Sequence, residues 1–151
     1  MTEIERITDQ LKRCFEGPSW HGPAVLEALQ GVTAIQAARR PVAAAHTIWE
    51  LVLHMTVWED TVRRRALGEA FNPIAEQDWP SVTDTGETAW REALRALQSG
   101  HLALRSVVNA FDPERLEAPL VPGGSTAYVQ FHGAVQHDLW HAGQIVVLKK
   151  G

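Results

Sequence analysis

Near the end of the 151-residue chain, FHGAVQHDLWHAGQI (residues 131–145) places His132, His137 and His141 within ten positions. His137 and His141 stand four apart, about 40° of rotation and one turn of rise on a helix, so both imidazoles leave the same face. Two nitrogens placed in this way can reach one metal ion with little adjustment of the backbone. The spacing also arises by chance, and a solvated face carrying two histidines is the plain alternative. Ala134, Ile145 and Leu148 favour an apolar setting on that side, where imidazoles need hydrogen bonds or ligation to offset burial. His132 lies about 140° from His137 and about 180° from His141, so it faces away from the pair.

A catalytic metal site needs another protein ligand, and His54 is the best candidate. It sits in LVLHMTVWE among Leu51, Leu53, Met55 and Val57. A lone histidine in such a run is ordinarily a core residue satisfied by a carbonyl. Joined to HxxxH on another helix, it completes a three-ligand set that leaves a position open for water or substrate. Three neutral ligands also leave the ion a strong Lewis acid. Gln144, three residues after His141, shares its face and could bind substrate or a metal-bound water. Gly133, one turn before His137, would leave space beside the ion. Glu50, one turn before His54, is a candidate base or hydrogen-bond acceptor, although a helix-capping role explains it equally well. His101 is a second, unplaced candidate, His46 falls outside its neighbouring helix, and His21 carries no motif. Trp49, Trp58 and Trp140 could line a pocket, but their helical spacing also suits a core.

Helices must position these residues. Ile4, Ile7, Leu11 and Cys14/Phe15 form a three-and-four stripe that ends near Gly17-Pro18. PAVLEALQ and TAIQAARR read as two short pieces, the second capped by Thr33. Thr47 precedes Glu50 by three, the capping-box spacing, and opens a helix running to about Gly68. Residues 69–86 read as a long loop. Trp90, Leu94, Leu97, His101, Leu104, Val108 and Phe111 then alternate by four and three, up to Asp112-Pro113. EAPLVPGGS makes a second irregular connection before a last helix from Ser125 or Thr126 to about Lys149. No β-alternation, internal repeat or linker interrupts this pattern. The expectation is one all-α domain over residues 1–151: an antiparallel four-helix bundle with short accessory helices and two long loops, in which metal and ligand sites form between facing helices.

Composition narrows the function classes. Forty-five per cent hydrophobic and 21% charged residues are globular values. A formal charge of −4 and no basic cluster beyond Arg63-Arg64-Arg65 argue against nucleic acid or an anionic membrane as partner. Cys14 is the sole cysteine, so no internal disulfide forms, which suits a reducing cytoplasm. It lies on the apolar stripe of the first helix and is a poor candidate nucleophile. No apolar run nears the ~20 residues of a membrane span, so the expectation is a soluble cytoplasmic protein.

AHTIWELVLHMTVWE, followed about 80 residues later by QHDLWHAGQIVVLKK, resembles the DinB-like (DinB/YfiT) metalloenzymes, and WHGPAVLEAL…GVTAIQAARRP extends the likeness over nearly the whole chain. The resemblance implies a four-helix bundle, often a homodimer, with nickel, zinc or iron-type divalent metal on His54, His137 and His141. It further implies chemistry related to thiol-dependent S-transferases and a thiol-dependent isomerase. The leading expectation is therefore an S-transferase joining a low-molecular-weight thiol to a small electrophilic molecule. The alternatives are a metal-dependent hydrolase and a non-catalytic, metal- or small-ligand-binding stress-response protein.

Overall fold

The computed structural model describes residues 1–151 and contains helices without strands. The four long helices are α1 (Glu3–Glu16), α4 (Ile48–Ala66), α6 (Glu87–Asn109) and α7 (Ala127–Leu148), with α2 (Val25–Leu29), α3 (Ala34–Ala38) and α5 (Ala75–Asp78) as short additions. Each boundary has a local cause. Thr2 and Thr47 close capping boxes with Glu5 and Glu50, satisfying N–H groups that the first helical turn leaves free. Thr33 and Thr126 accept from Gln36 and Val129 to start α3 and α7. Lys149, just beyond α7, donates to the carbonyls of Ala28 and Gln30 at 2.9 and 3.0 Å, tying the end of α7 to α2.

The long helices form an antiparallel four-helix bundle. α4 packs on α6 and α7, and α1 closes the ring by packing on the same two helices. The stripe of α1 buries Ile4, Ile7, Leu11, Cys14 and Phe15. On α6 the buried face is Trp90, Ala93, Leu97, His101, Leu104 and Val108. The apolar residues of both faces join one core cluster with α4 and α7. A leucine or isoleucine fully buried there contributes about 1.5–3 kcal/mol relative to exposure, so the stripes, rather than helix propensity, hold the bundle together.

Two helices depart from a simple stripe. α4 buries His54, Glu59 and Thr61 among its apolar residues, and α7 buries Gln130, Asp138 and His141. Thr61 returns its hydroxyl to the Val57 carbonyl at 2.8 Å, so it costs little. The remaining buried polar groups converge between α4, α6 and α7. The connection from α4 to α6, read from sequence as a loop, contains α5, which packs back on α4. No helix is long and apolar enough to cross a membrane.

Candidate metal centre

His54 on α4 meets His137 and His141 on α7. The Nε2 atoms of His137 and His54 are 3.0 Å apart, as are those of His141 and His137. One ligand nitrogen from each ring lies within 4.8 Å of the others, and the two 3.0 Å spacings are close to those of ligand atoms about 2.0–2.1 Å from one ion, which stand slightly over 3 Å from one another. The opposite edge of two rings is tied down. His54 Nδ1 lies 2.9 Å from both the main-chain carbonyl and the carboxylate of Asp78. His141 Nδ1 lies 2.5 Å from Gln144 Oε1. An N–H donated at each Nδ1 leaves the Nε2 lone pair free to point at the shared centre, the arrangement that orients metal-binding histidines.

Electrostatics keep this face in its ligating form. Burial, with the neighbouring His141 and His54, pushes His137 down to about 3. Burial also lowers His141, against the opposing hydrogen bond to Gln144. Both rings therefore stay neutral near pH 7.

The connecting segment after α5 covers one side. Trp79 stacks on His54 with centroids 3.8 Å apart and planes 4° from parallel, and on His46 at 3.5 Å and 7°. Trp58 donates its indole N–H to Asp78 Oδ1 at 2.7 Å. That bond holds the carboxylate against His54. On the open side lies a cavity of about 480 Å³ whose walls include His54, Trp58, Arg65, Gln130, Gly133 and His137. A Cβ added at Gly133 would meet nothing within 4 Å, so its small size enlarges the cavity without being sterically required.

Other residues singled out by sequence are placed as follows. Gln144 holds His141 through its ring edge. Glu50 accepts from the Thr47 N–H and the Arg40 guanidinium, each at 2.7 Å, and is not part of the cavity wall. Partial burial raises its carboxyl, but those two partners bring it below its usual range. His46 lies beside Glu50 and Trp79. His132 turns to Glu3 and Tyr128, away from the centre. Of the tryptophans, Trp58 lines the cavity, Trp49 packs on Trp90 in the core, and Trp140 is 68% exposed. Cys14 is buried, which pushes its thiol well above the ordinary value.

Sequence reading missed Asp78 and Trp79. Asp78 ends a helix too short to show a period and Trp79 follows it, and only the fold of the connection brings them to His54. Asp78→Ala is expected to lower affinity for a divalent ion about tenfold, toward the smaller end of the 10–100-fold effect of such partners, because the main-chain carbonyl persists. Competition between a zinc chelator and the variant measures it.

A sequence profile of the DinB superfamily matches residues 19–145, which contain all three converging histidines. The chain belongs to the DinB superfamily. No curated protein and no solved structure matches it. Within this DinB chain, the histidine face is a buried donor set compatible with a metal ion.

Proposed function

We propose that this DinB protein is a metal-dependent enzyme of the thiol S-transferase type. His54, His137 and His141 hold a divalent ion, and the adjoining cavity takes a low-molecular-weight thiol and a small electrophile. The observation that carries the reading is the convergence of three imidazoles, with His137 Nε2 3.0 Å from those of both His54 and His141, beside a cavity of about 480 Å³ that His54 and His137 line. That volume lies within the range of small-molecule sites. A bound divalent ion would supply Lewis acidity, lowering the pKa of a thiol that binds it.

The chain's own residues orient the reactants. Trp58 offers an apolar wall, while Trp79 and Trp58 limit water beside His54. Arg65 supplies a positive charge at the cavity. Its Nε donates to the Phe71 carbonyl at 2.9 Å, Nη1 to Gln130 Oε1 at 3.1 Å and Nη2 to Asn72 Oδ1 at 2.6 Å. All three partners are neutral, so the guanidinium is held in place with its charge uncompensated by them. Arg63 and Arg64, in contrast, pair with Asp60 and Glu69. The ligand that best fits this wall carries an anionic group at the Arg65 side. Arg65→Gln is expected to raise KM for a carboxylate-bearing substrate about tenfold to hundredfold, the worth of a charge-assisted hydrogen bond, with a smaller change in kcat. An uncharged analogue should show little change, and steady-state kinetics on the pair separates the two.

The direct test is titration of cobalt-substituted protein with small thiols, followed by assays with electrophiles in the presence of each thiol. A thiol-dependent shift of the visible spectrum together with thiol-dependent turnover is the expected result. Ester hydrolysis without thiol would replace the reading with a metal-dependent hydrolase. Retained metal with no spectral response and no turnover would leave a metal-binding protein.

A further inference from the structure

Beside the histidine face, the long helices bring a second group of donors together. Glu59 on α4, His101 on α6 and Asp138 on α7 are 3%, 0% and 1% exposed. His101 Nδ1 lies 2.9 Å from Glu59 Oε1 and 3.8 Å from Asp138 Oδ2. One ligand atom from each residue fits within a sphere of mutual distances below 4.8 Å. The remaining long helix, α1, backs the cluster. Cys14 Sγ is 3.6 Å from Asp138 Oδ2, and Phe15 stacks on His101 with centroids 3.9 Å apart and planes 6° from parallel. The imidazole is thus fixed in orientation, and each of the four long helices takes part.

The group is under-satisfied as it stands. Glu59 Oε2 is fully buried and has no hydrogen-bond partner. Two carboxyl groups face each other and a neutral imidazole, with no lysine or arginine ion-paired to either. Buried charge of this kind costs several kcal/mol per ion unless it is paired. Only protons or a cation can neutralise it. A divalent ion would cancel both carboxylate charges and bring the idle Glu59 oxygen into use. Access exists, because Glu59 and Asp138 lie on the wall of the same cavity as His54 and His137.

We propose that Glu59, His101 and Asp138 form a second divalent-cation site, distinct from the histidine face and opening on the same cavity. Its one-nitrogen, two-oxygen donor set suits a first-row ion such as Zn²⁺ or Mn²⁺. The two sites differ in charge: three neutral imidazoles leave an ion's charge intact, whereas two carboxylates cancel it. The histidine site is therefore the Lewis-acidic one. The second site ties three helices together below the cavity, with the Cys14 thiol directed at Asp138 from the fourth. The cluster stands on its own geometry and does not require the S-transferase reading.

The test is metal stoichiometry by elemental analysis after equilibration of the full chain with Zn²⁺ or, separately, Mn²⁺ and removal of free ion. Wild-type protein should retain two ions per chain with at least one of these metals. His101→Gln and Glu59→Gln should each retain one, and His137→Ala should also retain one, now at the carboxylate site. Circular dichroism on each variant identifies any that fails to fold. The near-isosteric Glu59→Gln provides the measurement if His101→Gln is lost. The proposal is overturned if wild type binds no ion, or only a single ion that Glu59→Gln still retains, with both metals, or if Glu59→Gln leaves the count and the affinities unchanged. Loss of the histidine-site ion alone, with the other retained, would instead sink the proposed S-transferase centre.

Discussion

His137→Ala is expected to weaken divalent-metal binding at the histidine face by more than a hundredfold while leaving the helical content intact. Structural zinc sites with four ligands bind with roughly 10–16 kcal/mol, so one ligand carries on the order of 3 kcal/mol, which is over two decades in affinity. His137 is the central member, with its Nε2 3.0 Å from those of both His54 and His141, so its loss leaves two donors without a bridge. Zinc titration against a chelator of known affinity measures the change, and an affinity within threefold of wild type would rule out this ligand set.

The same variant has a pH signature in metal-free protein. Burial, His141 and His54 push His137 down to about 3 in the folded chain, whereas an unfolded histidine titrates near 6.5. Below that ordinary value the unfolded state binds a proton that the folded state refuses. The stability associated with the neutral ring is present above pH ~6.5 and is lost progressively on acidification toward 3. His137→Ala removes this contribution. Its melting temperature should therefore fall less steeply between pH 6.5 and 4 than that of the wild type, with chelator present in both.

Much of the fold was legible because helices announce themselves by period and punctuation. Thr47 and Glu50 mark the start of α4 in the sequence and close a capping box in the structure. The four-and-three stripe from Trp90 to Phe111 corresponds to α6 and its end. The pair His137 and His141 was legible for the same reason, since helical geometry alone puts residues four apart on one face. His54 needed a second consideration, the demand for another ligand from a facing helix.

Residues that depend on the path of a connection were not legible. Asp78 and Trp79 reach His54 because α5 folds the chain back over α4, and nothing periodic in QDWPSV encodes that direction. Glu59 and Asp138 were hidden for a different reason. Each is a charged residue within a helix, which ordinarily means a solvated face, and each is buried here because its partner is buried too. His101 was the one available signal, a polar residue on an otherwise apolar stripe. Its place on the stripe put it inside the bundle, but the identity of its partners required three helices to be assembled.

Glu59→Gln is expected to raise the melting temperature of metal-free protein at pH 8 by about 5–10 °C and to change it little at pH 5. Burial pushes Glu59 up to about 7 in the folded chain, despite a lowering contribution from Asp138, while the unfolded carboxyl loses its proton near 4.3. Between these values the folded state holds a proton that the unfolded state has released. Stability therefore falls as pH rises through this window, by an amount on the order of 3 kcal/mol once pH exceeds 7. Asp138, raised by complete burial and by Glu59, acts with the same sign. Glutamine has no charge to bury at any pH and can donate its amide N–H to His101 Nδ1. The variant thus escapes a penalty that the wild type bears only at the higher pH. At roughly 2–4 °C per kcal/mol for a domain of this size, the difference is readable by calorimetry in the presence of chelator. Added Zn²⁺ should reverse the order. A cation neutralises the carboxylates in wild type and so gains most where the penalty was largest, while the variant has one charge fewer to hold it. Equal shifts at pH 5 and pH 8 would mean that Glu59 is not the group whose charge the fold opposes.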